Sequence, residues 1–191
     1  LVRTMENASE FGDCSRIKKA LRISLAPFLC VRKDGSLHGR MMTLLTKLKT
    51  LDRVNVRGKR KVGKGLETPV GLHLLRNFVF TPACSVLDIL ACSADFDFNT
   101  RILSITNFDI KNVKFPSFNF DNIEYRLKNS VPLYIDKHYD ATSFEMSTNI
   151  PEVEGTAIAV LGMKFYQKVE STYYLFKNAN AVGVEILGIK V

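Results

Sequence analysis

The chain has 191 residues, of which 46% are hydrophobic and 24% charged, with a formal net charge of +8. That length is enough to bury a real core in one domain or one and a half, and the composition excludes wholesale disorder. No run approaches the roughly 18 apolar residues that cross a bilayer as a helix, which excludes a helical membrane span.

Residues 1–12 are polar with no usable period and predict an extended arm. Leu1 to Phe11 lacks the apolar stretch of a signal peptide, although secretion stays open. Asp13 or Ser15 is placed to cap a following helix, whose inward face is Ile17, Ala20, Leu21, Ser24, Leu25 and Phe28 at spacings of three and four. Pro27 lacks a backbone N–H and should kink or end that helix. Lys33-Asp34-Gly35-Ser36 reads as a turn, with Ser36 capping a second helix whose stripe is Leu37, Met41, Leu44, Leu45, Leu48 and Leu51. Two such helices with a short link predict an αα-hairpin.

Next comes the most basic stretch, Lys47 to Lys64, KLKTLDRVNVRGKRKVGK. It separates a helical half from a half that alternates like strand. Residues 1–80 hold 17 Lys/Arg against 6 Asp/Glu, a balance of +11, whereas residues 81–191 hold 10 against 13, a balance of −3. A basic half joined to a mildly acidic one predicts contact with a polyanion, or with the acidic half of an identical subunit.

Pro69 to Leu75 reads as one further helical turn, and Phe78-Val79-Phe80 opens the strand region. The predicted strands are Val86–Ala91, Arg101–Thr106, Ile123–Leu127, Val131–His138, Thr156–Val169, Thr172–Phe176 and Val182–Lys190. Turn residues punctuate them at Asn99-Thr100, 119–122, Lys128-Asn129-Ser130, 149–154 and 177–180. The expected fold is therefore α+β and mainly β: an antiparallel β-sandwich preceded by an N-terminal arm and a helical hairpin. Residues 1–76 would hold the arm, hairpin and basic loop, and residues 77–191 the sandwich domain.

The closing meander carries a resemblance. Leu161-Gly162-Met163-Lys164-Phe165-Tyr166-Gln167-Lys168-Val169, followed by Tyr174-Leu175-Phe176-Lys177-Asn178-Ala179, resembles the end of an uncharacterised family of Bacteroidota hypothetical proteins. Glu10-Phe11-Gly12 with Arg16, and Arg57-Gly58-Lys59-Arg60-Lys61-Val62, are similar to that family's N-terminal half. The resemblance implies a basic helical start and a β-rich end, and brings no activity with it.

Few motifs carry chemistry. Gly58 to Lys64 satisfies G-x-x-x-x-G-K, but Gly65 stands where a Ser or Thr hydroxyl should hold magnesium, no buried strand precedes it and no obvious helix follows at Leu66 to Pro69. Asp95-Phe96-Asp97-Phe98-Asn99 imitates a calcium loop but lacks its Gly and its bidentate Glu; strand alternation would instead place Phe96 and Phe98 inward. His38, His73 and His138 are scattered, and Cys14, Cys30, Cys84 and Cys92 show no zinc spacing. Two disulfides are open to an exported protein, although buried free thiols are the simpler expectation. Glu152 and Glu154 read as ordinary surface charge. No enzymatic activity, metal or cofactor is expected.

The basic stretch suits nonspecific phosphate contact, yet no aromatic residue lies between Val31 and Lys64 to stack bases. Phe108, Phe115, Phe118 and Phe120 read as a loop packed on the sandwich or as a hydrophobic contact surface for a neighbour. The favoured expectation is a self-assembling structural subunit, in a filament, tube or other surface assembly, joined head to tail by its arm and basic loop. Its contact residues would be Arg53, Arg57, Lys59, Arg60, Lys61 and Lys64. The alternative is a nucleic-acid or other polyanion-binding module using the same residues, followed by a surface adhesion domain. The compartment is open, with an extracellular or cell-surface location preferred.

Overall fold

The computed structural model describes residues 2–31, 33–114, 122–126, 133–136, 139–148 and 155–191. Six helices come first: α1 (Val2–Ser24), α2 (Ala26–Leu29), α3 (Leu37–Thr50), α4 (Val62–Leu66), α5 (Pro69–Arg76) and α6 (Val86–Leu90). Eight strands follow: β1 (Ser93–Asp97), β2 (Ile102–Thr106), β3 (Asn122–Arg126), β4 (Leu133–Asp136), β5 (Phe144–Ser147), β6 (Ala157–Val169), β7 (Thr172–Leu175) and β8 (Val182–Lys190). The fold is α+β with two antiparallel sheets, a three-stranded one in the order β1-β2-β5 and a five-stranded one in which β6 joins β3 and β4 to β7 and β8.

Local chemistry sets the helix boundaries. Pro27 has no N–H to give to the preceding turn, so the chain breaks at Leu25 and restarts as α2 with Pro27 in its first turn. α3 buries the predicted Leu37, Met41, Leu44, Leu45 and Leu48. Its start is secured not by the Ser36 hydroxyl but by Asp34, whose Oδ1 accepts the amides of Ser36 and Leu37. Thr68 caps α5 by accepting the Gly71 amide, with Pro69 at the first helical position, where its missing N–H costs nothing.

Four expectations are corrected here. The first dozen residues are not an extended arm: from Val2 they belong to the 23-residue α1, which also places Asp13 and Ser15 within the helix rather than at its cap. Val86–Ala91 is the helix α6 instead of a strand, ended by Ala91 in the left-handed region at φ 49°. Apolar residues at 86, 87, 89 and 90 fit a helical face as well as a strand, and over five residues tertiary packing decides. Phe78-Val79-Phe80 is irregular and tied to α3 by the Arg40 guanidinium, which donates to the carbonyls of Val79 and Phe80 and lies 5.8 Å from the Phe78 ring. Finally, β1 and β5 were not among the predicted strands. The other strands fall where expected within a residue or two, and β8 has the predicted bounds.

At β6 and β8 the five-stranded sheet packs against two different sets of apolar residues. In one, Ala159, Leu161, Met163 and Phe165 of β6 share a cluster with Phe96, Leu103, Ile105 and Met146 of the three-stranded sheet and with Val86 and Leu90 of α6. In the other, Val182 and Val184 of β8 join Leu25, Phe28, Leu37 and Met41, while Ile158, Ile186 and Ile189 pack against the core of α1, α3, α4 and α5. A bulge sets this up: the register slips between Ala159, opposite Gly188, and Val160, opposite Ile186. Apolar residues of β6 and β8 thus meet the helices α1 to α5 in two clusters and the smaller sheet with α6 in a third. The edge of β8 is blocked near its start by Thr81, 1% exposed, whose hydroxyl accepts the Val184 amide at 3.0 Å and donates to the Cys84 carbonyl at 2.9 Å. Among the described residues no helix is long and apolar enough to cross a membrane.

Candidate functional site: a basic loop built on carboxylates

The loop between α3 and α4 folds around acids rather than around apolar side chains. Asp52, 2% exposed, accepts the amides of Val54 and Asn55 on Oδ1 (2.9 and 3.0 Å) and the Lys61 amide and Asn55 side chain on Oδ2 (both 2.8 Å). Three further carboxyl groups reach in from α1. Glu10, 3% exposed, accepts the Gly58 amide at 2.8 Å and pairs with Lys49 at 2.5 Å. Asp13 accepts the Val62 amide at 3.4 Å, and Glu6 lies 3.5 Å from Arg57. Gly58, at φ +88°, turns the chain back at the point where Glu6 leans on it.

Burial alone would raise the Asp52 pKa. The Asn55 side chain and the amides of Lys61, Asn55 and Val54 outweigh it and hold the group down to about 2, against an ordinary 3.8. A depressed folded pKa means that the stability it contributes is complete above the unfolded value and is lost as pH falls from 3.8 towards 2. Urea unfolding of the wild type is expected to weaken across that window, and Asp52→Asn to weaken less steeply. Parallel slopes would count against the amide cage.

The six predicted contact residues divide into two groups. Arg57 donates to Asn7 at 3.1 Å and pairs with Glu6, Lys61 stands 3.9 Å from Asp13, and Lys64 pairs with Glu67 at 2.8 Å. Arg57 and Lys64 are thus paired within the chain, while Lys61 shares Asp13 with the closer Arg16. Arg53 and Lys59 are exposed with no ion-pair partner among the described residues, and Arg60 is half-buried beside Glu10, its Nε without a hydrogen-bond acceptor. Sequence reasoning missed Glu6, Glu10 and Asp13. The signal was present: they continue the helical spacing of Cys14, Ile17 and Leu21 towards the N-terminus, with carboxylates in place of apolar residues.

The same geometry disposes of the phosphate-loop reading. An unexpected helix, α4, begins inside the motif at Val62, and α5 follows at Pro69 where a helical turn was expected, but the chain entering the motif is irregular from Asp52. Of the motif's amides, those of Gly58, Lys61 and Val62 are given to Glu10, Asp52 and Asp13, and that of Lys59 to the Val56 carbonyl. Asp95 to Asp97 lies in β1, with Phe96 buried between two exposed aspartates, as alternation predicts. Among the described residues no group of three or more His, Cys, Asp or Glu is arranged to hold a metal. All four cysteines are free thiols; Cys14 and Cys84 are buried, Cys92 is partly so, and Cys30 is exposed.

Phe108 is 1% exposed and packs edge-on against Tyr139 and Phe144, so it belongs to the core and not to a contact surface. Phe115, Phe118, Phe120, His138, Glu152 and Glu154, and the turns at 128–130 and 149–154, lie outside the described residues. Comparison with known protein families, with curated proteins and with solved structures finds no match.

Proposed function

We propose that this chain is a non-enzymatic structural subunit whose copies join front to back, the helical layer of one meeting the outer sheet of the next. In this reading the two sheets act as a sandwich and the helices form its basic face. The supporting observation is the separation of charge between the outermost layers. Register and burial put Asp95, Asp97 and Glu145 on the exposed side of the three-stranded sheet, with Ser104 between Asp95 and Glu145. In the helical half the six carboxylates are spent internally: Glu6 on Arg57, Glu10 on Lys49, Asp13 on Arg16, Asp34 on Arg40, Asp52 on amides and Glu67 on Lys64. The cations left exposed without a carboxylate partner among the described residues include Arg3, Lys19, Lys47, Arg53 and Lys59. Complementary faces on opposite sides make a heterologous contact, which extends into a filament unless its rotation closes a ring. The reading drops the arm as a tether, because α1 is held by its own basic loop.

A second reading, polyanion binding, is favoured by the same surplus of cations, which needs no acidic partner sheet. Sedimentation velocity and negative-stain imaging between about 0.05 and about 1 M NaCl separate the two, since contacts between exposed charges are screened over that range. Assemblies that dissociate with salt, and that are abolished by Asp95→Lys with Glu145→Lys, support the first. A monomer at every ionic strength overturns it; retention of that monomer on single-stranded DNA then supports the second.

A further inference from the structure

The region away from the basic loop holds a second concentration of uncompensated charge. Arg22 near the end of α1, Lys33 in the following turn and His38 in the first turn of α3 converge on a cavity of about 390 Å³. Its remaining wall includes Leu29 and Phe80, with Cys30 also lining it. Asp34 is the sole carboxylate among the described lining residues and has no oxygen to spare. Its Oδ1 takes the Ser36 amide and hydroxyl and the Leu37 amide, and its Oδ2 takes Arg40 at 2.7 Å. Lys18 Nζ lies 3.2 Å from His38 Nδ1; an ammonium only donates, so Nδ1 accepts and His38 keeps its Nε2–H to offer a ligand. Two cationic side chains, Arg22 and Lys33, and the imidazole of His38 thus face one concave space from three separate elements, and its one described carboxylate is already engaged.

We propose that this cavity binds a small organic phosphate, a monoester whose dianion is held by Arg22, Lys33 and His38 and whose organic group lies on Leu29 and Phe80. The volume falls within the range of small-molecule sites. A guanidinium fork with two further donors suits a doubly charged, three-oxygen head better than a singly charged carboxylate. The site is independent of the assembly reading, because it uses neither the basic loop nor the outer sheet.

Cys30 supplies the reporter. It is exposed while Cys14 and Cys84 are buried, so a neutral maleimide should modify it first, located by peptide mass spectrometry. Phenyl phosphate is expected to slow that modification at least about fivefold, saturating near millimolar concentration as befits a small ligand. Arg22→Gln with Lys33→Gln should abolish the protection, and Arg53→Gln with Lys59→Gln should leave it intact. All four side chains are exposed, so neither pair threatens folding. Unchanged labelling in phenyl phosphate overturns the site. Equal protection by benzoate overturns the choice of phosphate, and equal protection by inorganic phosphate overturns the role of the apolar wall.

Discussion

Replacing Glu10 with Ala is expected to destabilise the protein by about 3–5 kcal/mol and to release the basic loop, because breaking a buried ion pair strands its partner. Glu10 is 3% exposed and holds Lys49 at 2.5 Å and the Gly58 amide at 2.8 Å, so one carboxylate joins α1, α3 and the loop. Burial works to raise its pKa, but Lys49 and the Gly58 amide outweigh it and the net direction is down, which keeps the group ionised near neutrality. Its removal leaves the Lys49 ammonium, whose side chain is 13% exposed, without a counter-charge, and the Gly58 N–H without an acceptor. The double change Glu10→Leu with Lys49→Met removes both charges together and should recover most of the loss, as apolar replacements of buried pairs do. Urea unfolding measures the energies, and amide exchange across residues 52–62 measures the loop. A loss under about 1 kcal/mol for Glu10→Ala, the level of an exposed pair, would show that the contact does not hold the loop.

The contrast between this carboxylate-lined junction and the rest of the fold explains what the sequence discloses and what it hides. α3 is legible because Leu37, Met41, Leu44, Leu45 and Leu48 repeat at helical spacing, and all five are buried. β8 is legible because Val182 to Lys190 is β-branched and bounded by an Asn-rich turn. The first three turns of α1 hide their structure because the face they bury is Glu6, Glu10 and Asp13, and a search for apolar periodicity reads those as solvent-facing. β5 and α6, of four and five residues, are too short for any period to declare itself. The candidate loop is legible as a concentration of charge, but not as a structure. Nothing in the run Arg57 to Lys64 says that Arg57, Lys61 and Lys64 meet acids of the same chain while Arg53 and Lys59 do not. Partners separated by some fifty residues, as Asn7 and Arg57 are, come together only through the packing of α1 on α3.

Gly63 within that run and Gly65 just after it make a second large effect testable, and they answer the phosphate-loop reading by a different route. Gly65→Ala is expected to cost about 3 kcal/mol, at the upper end for overpacking, because the obstacle is backbone. A Cβ there would stand 1.8 Å from the Leu48 carbonyl oxygen and 2.7 Å from its carbon, so α4 and α3 would have to separate. Leu48, Val62, Leu66 and Leu75 form one buried cluster across that crossing, and a shift of α4 would open it. Two residues earlier, a Cβ on Gly63 meets nothing within 4 Å. Gly63→Ala should therefore be neutral or stabilise by up to about 1 kcal/mol, through helix propensity and the lower entropy of the unfolded chain. Thermal unfolding of the two variants side by side reads the difference directly. A loop shaped to let phosphate approach its backbone would make Gly63 matter for ligand binding and neither glycine much for stability; helix packing makes only Gly65 matter, and for stability alone. Equal destabilisation by the two substitutions would show that the approach of α4 to α3 does not set the role of Gly65.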